Sequence, residues 1–377
     1  MMINRRYPAE FVFPGHPDKL SDAIADALVE EAWRRDPRAL VGVEVAVHRD
    51  HVYITGRIGC HEAAAIKVTS LVQDIYRSAG YINGWYPAPE QVKVVSNLCL
   101  GPLEEGEAEF RELADDQAIC VGYANALEAT NHLPVEQWLV ASIARRLYRL
   151  RDEHPHLNLG PDGKVMVIVE EQRDSAGIPV AWWLREFSCS LQQAANADEV
   201  GLHRAVRLAL QQVLQESSKV LAGLCEQLPD QLTVNGAGDF EVGGPEGDNG
   251  LSGKKLVMDA YGPRIPIGGG AWSGKDFFKA DRAGGLHARR VAKTMVRLGL
   301  ANEVTVTLGW HPGDRSARLI SLVNGDNDGL SLAKAASWFD LSLLLSGTSF
   351  MQGRLIEIAR WGHFGGEHFP WETIRNL

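Results

Sequence analysis

Long apolar runs, cysteines and excess positive charge are all scarce in this sequence of 377 residues. The longest apolar stretches, such as residues 165–169, are too short to cross a bilayer. The five cysteines form no CxxC pair and are odd in number, which argues against a disulfide framework and favours a reducing, cytoplasmic location. A net charge of −10 argues against non-specific nucleic-acid binding. Residues 1–10 lack an apolar segment, so we expect no secretory signal.

What remains is the composition of a globular protein, with 45% hydrophobic and 23% charged residues. A chain of this length predicts two or three domains. Helical and strand patterns alternate, and a hairpin is predicted over residues 39–59, so we predict an α+β fold of mixed or antiparallel sheets covered by helices. Helices are predicted over residues 18–35, 62–79, 134–151, 199–216, 281–298 and 332–345 (with Ser331 as N-cap), strands over 164–171, 232–235, 256–259 and 304–310, and a loop over 96–116.

The segment Gly15-His16-Pro17-Asp18-Lys19 lies where a loop enters the first predicted helix. Free backbone N–H groups at a helix start attract anions. His16 offers a donor to a phosphate oxygen, and Asp18 offers a hard carboxylate for magnesium. The alternative is that Asp18 only complements the helix dipole.

Two glycine-rich segments follow much later in the chain. Residues 243–253 contain five glycines in eleven positions and end at Lys254 and Lys255, which indicates either a ligand-binding loop or a flexible hairpin. Residues 269–275 fit the GxxxxGK part of a P-loop, but Asp276 replaces the usual Ser or Thr. A P-loop nucleotide hydrolase is therefore an alternative.

Positive charge is concentrated in this region. Residues 254–293 contain nine lysines or arginines and three acids. Such a segment either focuses a field on a small anion or forms a solvated helix face.

Five segments together resemble one family. GHPDKLSDAIADAL, GGPEGDNGLSGKKLVMDAYG, GGGAWSGKDFFKADR, ARRVAKTMV and GHFGGEHFPWE are similar to segments of S-adenosylmethionine synthetases, in the same order. The resemblance implies three similar α+β domains with pseudo-threefold symmetry, near residues 1–101, 113–238 and 239–377, with segments interleaved. It also implies a homodimer that shares two active sites, and pairing of such dimers. The implied reaction joins the adenosyl group of ATP to the sulfur of methionine or a similar thioether amino acid, with two Mg²⁺ per site and K⁺.

The resemblance also assigns residues to roles. It implies catalytic roles for His16, Lys164, Lys275 and Lys279, and an ATP and polyphosphate site at His16, Asp162, Lys164, Asp239, Phe240, Lys254, Lys255, Ala271 and Lys275. It implies an amino-acid site at Arg57, Gly101, Asp116, Asp248 and Lys279, magnesium ligands at Asp18, Asp281 and Glu10, and a potassium ligand at Glu44.

The amino-acid end departs from the family pattern. Arg57 stands where the family has Glu, Gly101 stands where it has Gln, and the loop that follows is shorter; Lys254 replaces an Arg on the phosphate side. We therefore expect Arg57 to repel a substrate ammonium and attract a carboxylate, so that another thioether is used better than methionine, although Asp116 and Asp248 remain to hold an ammonium. The alternative is that Arg57 points elsewhere and another residue substitutes for the Glu. The alternatives are a catalytically weak homologue that regulates an active subunit, and a tripolyphosphatase.

Overall fold

A computed structural model describes residues 3–324, 336–366 and 368–373 of the chain. The fold is α+β, as predicted, with three sheets that each pack on helices. The strands are β1 Ile3–Val12, β2 Leu40–His48, β3 His51–Gly59, β4 Lys93–Gly101, β5 Ala118–Asn125, β6 Leu159–Arg173, β7 Pro179–Gln193, β8 Gln231–Val234, β9 Gly250–Leu251, β10 Glu303–Trp310 and β11 Arg318–Asn324.

The described helices vary from single turns to six turns. They are α1 Pro17–Arg35, α2 Val68–Ala79, α3 Val135–Glu153, α4 Glu199–Val220, α5 Gly244–Gly247, α6 Leu256–Asp259, α7 Ala280–Arg297, α8 Leu343–Ser349 and α9 Leu355–Trp361. Short 3-10 helices lie at Ala63–Ala65, Pro89–Gln91, Glu109–Glu112, Glu128–Thr130 and Pro155–Leu157. None of the described helices is long and apolar enough to cross a membrane.

Each sheet combines strands from distant parts of the sequence. The strand orders are β1-β6-β7-β8, β4-β3-β2-β9 and β11-β10-β5. Strand β1 pairs antiparallel with β6, β5 with β10, and β9 with β2. Each third of the chain thus lends one strand to the sheet of another third, in a cyclic exchange that ties the three sheets together.

The sheets bury one face against helices and form three cores. Helix α1 packs on β2, α3 on β1 and β6, and α7 on β5 and β10. In β2 the alternate valines predicted from the sequence are buried, whereas Glu44 is exposed on the opposite face. Among the residues that the structure describes, the outer face of the β4-β3-β2-β9 sheet is therefore largely exposed.

Three secondary-structure predictions are wrong in part. Residues 256–259 form a helical turn, not a strand, because a short apolar run has no periodicity that separates the two. The predicted loop over residues 96–116 contains most of β4, which is largely exposed and so lacks a regular apolar alternation. The predicted helix over residues 332–345 is contradicted beyond residue 336, since α8 begins only after Ser342, whose Oγ accepts from the N–H of Leu345 at 3.2 Å. Its first part, with Ser331, lies outside the described residues.

Candidate active site

The first residue of the site caps helix α1. His16 is the N-cap residue, and its Nδ1 accepts a hydrogen bond of 3.2 Å from the backbone N–H of Asp18. Burial lowers the pKa of His16 below its ordinary value, although the carboxylates of Asp162 and Asp18 oppose this shift. The neutral imidazole therefore carries its proton on Nε2, where it is suited to donate to an anionic ligand.

A row of buried carboxylates on α1 holds both glycine-rich loops. Asp18, Asp22 and Asp26 are spaced four residues apart, so they occupy one face of the helix. Each accepts a hydrogen bond from a backbone N–H of one of the loops. The donors are the N–H groups of Leu251, Gly253 and Gly274, at 3.0, 2.7 and 3.0 Å respectively. Sequence reasoning missed Asp22 and Asp26, although three acids at this spacing on a predicted helix were a usable signal.

The first cluster of ionic side chains surrounds the start of α1. Asp18 lies 2.7 Å from Nζ of Lys255 and 3.7 Å from Nζ of Lys254. Lys164 pairs with Glu10 at 3.2 Å between the neighbouring strands β6 and β1. Although burial raises it, the contacts with Lys255 and a loop N–H leave the pKa of Asp18 below its usual value. Lysines from β6 and from the first glycine-rich loop therefore meet beside the N-cap histidine.

Asp162 fixes the start of the first glycine-rich loop. Its Oδ2 accepts a hydrogen bond of 2.7 Å from the N–H of Gly244, and its side chain is buried. Phe240, just before the loop, is half-buried, whereas Asp239 and Asp248 are exposed. Asp162 thus supports the loop, while the other two acids remain accessible to a ligand.

The second cluster lies where the second glycine-rich loop approaches α7. Lys275 pairs with Asp281 at 2.6 Å, and Lys279 pairs with Asp115. Lys275 also forms an isolated β-bridge with Gly42, which fixes the loop against β2. This arrangement orients two ammonium groups beside two carboxylates at the N-terminal end of α7.

The second loop is not a P-loop. Residues 262–274 contain no strand, and α7 begins at Ala280, five residues after the lysine of the GxxxxGK match. Ala271 is half-buried and contacts the position where a side chain would stand at Gly253. The two glycine-rich loops therefore pack against each other, and the P-loop alternative is wrong.

The two clusters remain separate within one chain. Among the residues that the structure describes, no hydrogen bond or ion pair joins a side chain of the first cluster to one of the second. Glu44, the predicted potassium ligand, lies exposed on β2 and accepts a hydrogen bond of 2.9 Å from Oγ of Ser252. It therefore stands beside the first loop, on the uncovered face of its sheet.

At the amino-acid end, Arg57 does not present a free positive charge. Its Nε and Nη2 donate to the carboxylate of Glu107 at 3.3 and 2.9 Å, and Glu104 lies 3.6 Å away. Gly101 is its neighbour on β4, and a Cβ there would lie 3.5 Å from Nη1 of Arg57. The prediction that Arg57 repels a substrate ammonium therefore fails in its premise, because Glu107 balances the charge.

Asp115, the neighbour of the predicted Asp116, is the residue that contacts the second cluster. Asp116 is exposed, and its Oδ1 accepts a hydrogen bond of 2.7 Å from the N–H of Gln117. Asp115 instead pairs with Lys279. Sequence reasoning missed Asp115 because nothing in two adjacent acids tells which one faces the lysine.

Part of the basic segment has a structural role. Arg282 pairs with Asp26 at 2.7 Å, and Arg289 and Lys293 pair with Glu372 at 2.9 and 2.7 Å. All three cations are buried, so they are not a solvated helix face and do not reach a ligand. The charge available to an anion comes from the lysines of the two loops and of β6.

The site offers single carboxylates to a metal ion and does not group them into a preformed set of ligands. Within the described ranges, no three or more histidine, cysteine or carboxylate side chains are arranged to hold one. Asp18 and Asp281 each stand beside a lysine. Magnesium commonly keeps several waters and takes one or two carboxylates together with substrate phosphates. The residues present therefore fit a magnesium ion that binds with a polyphosphate.

Fold and site together define an α+β protein in which paired lysines and carboxylates surround two glycine-rich loops. Sequence models of the S-adenosylmethionine synthetase N-terminal and C-terminal domains match residues 4–98 and 242–373. The S-adenosylmethionine synthase of Gloeobacter violaceus is 32% identical, with 97% of this chain and 94% of that protein covered. Those of Borreliella afzelii and Deinococcus radiodurans are 30% and 29% identical, each with 98% of this chain and 95% of the relative covered. The chain belongs to the S-adenosylmethionine synthetase family.

Proposed function

We propose that the chain transfers the adenosyl group of ATP to the sulfur of methionine and so forms S-adenosylmethionine. The observation that carries this proposal is the set of cationic and donor groups around the two glycine-rich loops, which suits a triphosphate. Its members are His16, Lys164, Lys254, Lys255 and Lys275. Family membership and the names of the relatives support the same reaction.

The reaction requires no nucleophile from the protein. A lone pair of the thioether sulfur forms the S–C5′ bond while the C5′–O bond breaks, and that bond's electrons leave with the triphosphate. The products are a sulfonium ion and tripolyphosphate, which water then cleaves to pyrophosphate and phosphate. Because the leaving group carries several negative charges, preorganised lysines and the Nε2–H of His16 lower the barrier.

The remaining residues divide between the two ends of the substrate pair. We assign Asp239, Phe240 and Ala271 to the nucleotide side, because they adjoin the glycine-rich loops. We assign Asp248 and Asp116, which are both exposed, to the amino-acid side. Asp162 acts through the loop that it holds.

Asp18 and Asp281, with Glu10 nearby, are the carboxylates that would hold two magnesium ions, and Glu44 would hold potassium. Magnesium, when bound, neutralises charge that develops on the phosphate oxygens. The protein itself contributes Lys255 and Lys275, which lie within 3 Å of these carboxylates. Both lysines would leave these ion pairs and bind the polyphosphate instead.

The exposed outer face of the β4-β3-β2-β9 sheet supports a homodimer. Val95, Tyr53 and Leu251 are 49%, 46% and 45% exposed and form, with Ala46, one row across all four strands. Glu44 lies on the same face, and the two ionic clusters stay apart in one chain. We infer that a second copy covers this row and joins the first cluster of one chain to the second cluster of its partner. Dimers that associate again into a tetramer are a further expectation.

The cyclic strand exchange supports three domains with pseudo-threefold symmetry. The proposed boundaries are residues 1–101, 113–238 and 239–377, and β1, β5 and β9 are the strands exchanged between them.

The test is mass spectrometry of the products formed from ATP, methionine, Mg²⁺ and K⁺. S-adenosylmethionine, pyrophosphate and phosphate are expected, with activity lost in Lys275→Met and kept in the control Lys219→Met, which changes an exposed lysine on α4. Release of ADP or AMP alone, with no sulfonium product, would overturn the proposal and favour a phosphatase. An inactive regulatory homologue is disfavoured because such a protein has no need to retain the complete lysine set.

A further inference from the structure

A small cavity lies beside the second ionic cluster. Its volume is about 290 Å³, near the lower end of the range for small-molecule sites, so it suits a ligand of amino-acid size. The loop between β4 and β5 forms one wall, and the start of α7 forms the opposite wall. The groups that matter for recognition are Glu105, Glu107, Asp115, Lys279, Phe110 and Phe278.

Arg57 holds the start of the loop between β4 and β5 in place through hydrogen bonds. Besides its two contacts with Glu107, Nη2 donates to the carbonyl oxygen of Pro102 at 2.7 Å and Nη1 to that of Cys99 at 3.3 Å. The N–H of Glu104 donates to Glu107 Oε2 at 2.6 Å. One guanidinium thus holds the end of β4, the start of the loop and the Glu107 carboxylate in a single geometry.

The far end of the loop is fastened as well. Arg111 donates to Asp276 at 2.6 Å and to the carbonyl oxygen of Ala39 at 2.7 Å. Its guanidinium also lies 4.6 Å from the ring centroid of Phe278. Because Arg111 is buried and fully engaged, it does not offer charge to a ligand, and the loop becomes a fixed wall.

Two glycines lie beside the Arg57–Glu107 pair. A Cβ at Gly101 would lie 3.5 Å from Arg57 Nη1, which is an ordinary van der Waals contact. A Cβ at Gly59 would lie 3.5 Å from Glu107 and only 3.0 Å from Leu103, which is tight. The pair is therefore closely packed on the side of Gly59.

The balance of charge in the cavity favours a zwitterion. The contact with Arg57 leaves Glu107 accessible to a ligand, since its side chain remains 24% exposed. The hydrogen bonds from Arg57 lower the pKa of Glu107, so this carboxylate stays ionised near neutral pH. With Asp115 it can accept an ammonium group, while Lys279 can receive a carboxylate. The aromatic rings leave an apolar surface for a side chain.

We propose that Glu107 determines specificity for the α-ammonium group of the amino-acid substrate, and that Arg57 is the positioning residue that holds Glu107 in place. The substrate class is a zwitterionic α-amino acid with an apolar thioether side chain. Its carboxylate contacts Lys279, its ammonium contacts Glu107 and Asp115, and its sulfur-bearing chain lies against Phe110 and Phe278. This inference rests on the proposed adenosyl transfer and locates the amino acid within it.

The experiment compares methionine with its deaminated analogue (methylthiobutanoate) and its decarboxylated analogue (methylthiopropylamine). In the wild type, kcat/KM should favour methionine over both. In Glu107→Gln, the preference over the deaminated analogue should fall at least about tenfold, since a hydrogen bond between two charged groups is replaced by a weaker one to a neutral amide. The preference over the decarboxylated analogue should stay, because Lys279 is unchanged. Arg57→Met should raise KM for methionine more than it changes kcat or KM for ATP, and Arg57→Lys should restore part of the loss.

The matched control is Glu90→Gln, which removes the partner of Arg77 in an exposed pair of 2.7 Å outside the cavity. This variant should keep the wild-type preferences. If the wild type makes no sulfonium product, the proposed function fails. If the wild type makes the sulfonium product but Glu107→Gln keeps the full preference over the deaminated analogue, then Glu107 does not recognise the ammonium group. That result would overturn the inference.

Discussion

Two adjacent glycines in the second loop allow a sharp test of the Asp281 site. A Cβ at Gly270 would lie within 2.5 Å of all three carboxyl atoms of Asp281, whereas a Cβ at Gly269 meets no heavy atom within 4 Å. Neither residue has a positive φ. Gly270→Ala therefore perturbs the carboxylate through space, and Gly269→Ala is a matched control with the same chemical change.

The size of the effect follows from the distance. The nearest carboxyl atoms must retreat by roughly 1.4 Å to reach ordinary contact, and a misplacement of about 1 Å in a catalytic group already costs about a hundredfold in rate. The retreat also breaks the bond of 2.6 Å between Asp281 and Lys275. Because the obstructing atoms are the end of a side chain, the backbone remains in place, and we expect thermal stability to change little.

Steady-state assays of adenosyl transfer, with magnesium varied, measure the outcome. Gly270→Ala should lower kcat by about a hundredfold and raise the magnesium concentration needed for half-maximal rate, as expected for a displaced metal ligand. Gly269→Ala should match the wild type. A fully active Gly270→Ala enzyme, with the melting temperature of the wild type, would show that the position of Asp281 does not matter and would refute the assignment.

Three further outcomes are expected. Lys275→Ala and Asp281→Ala should each lower kcat by about a hundredfold or more at saturating ATP, since each removes a preorganised charge; fully active variants would mean that the polyphosphate lies elsewhere. Light scattering should detect a dimer that Tyr53→Glu weakens together with activity, and a folded, active monomer would contradict the shared site. His287 is held neutral because burial lowers its pKa from 6.5 to about 3, so the unfolded chain binds a proton that the folded one excludes. The free energy of unfolding should therefore fall by up to about 1.4 kcal/mol per unit as the pH drops below about 6.5, and urea titrations should find a smaller fall in His287→Gln.

The residues that we propose for the phosphate side carry signals that are local in sequence. A glycine-rich loop that ends in lysines indicates a backbone and a charge that can approach an anion, whatever surrounds it. His16 and Asp18 were likewise marked by the entry into a helix. The partners of these groups could not be predicted in the same way, because Asp18 and Lys255 are far apart in sequence and come into contact only in the folded chain.

The buried carboxylates of α1 that hold the glycine-rich loops were missed for a related reason. Asp22 and Asp26 look like the solvated face of an amphipathic helix, yet both are buried, because the glycine loops supply N–H donors at their positions. A buried carboxylate is stable only with such partners, and the sequence does not reveal them. The same limit applies to β4, whose exposed strand lacks the alternation that identified β2.

The error at Arg57 has a different origin. A substitution of Glu by Arg was taken to change the charge of the pocket, but the charge of a pocket belongs to all the residues that meet there. The loop after β4 brings Glu107 to within 2.9 Å of Arg57, so the acid is supplied from another part of the chain. The charge at such a position therefore depends on Arg57 and Glu107 together and cannot be inferred from Arg57 alone.

The ion pairs of the site explain how an acidic protein can bind a polyanion. Every lysine of the two clusters already has a carboxylate partner: Lys164 has Glu10, Lys254 and Lys255 have Asp18, Lys275 has Asp281, and Lys279 has Asp115. These partners orient the ammonium groups in advance, so little reorganisation is needed when phosphate oxygens, or the substrate carboxylate at Lys279, replace them. The same carboxylates also cancel most of the positive charge. Replacing them by the phosphate oxygens of ATP alone would therefore gain little binding free energy. If Asp18 and Asp281 hold magnesium as proposed, a bound divalent cation would remove this opposing effect, because their lysines would then be left for the triphosphate. On that proposal, the same acids that order the lysines would make nucleotide binding depend on magnesium.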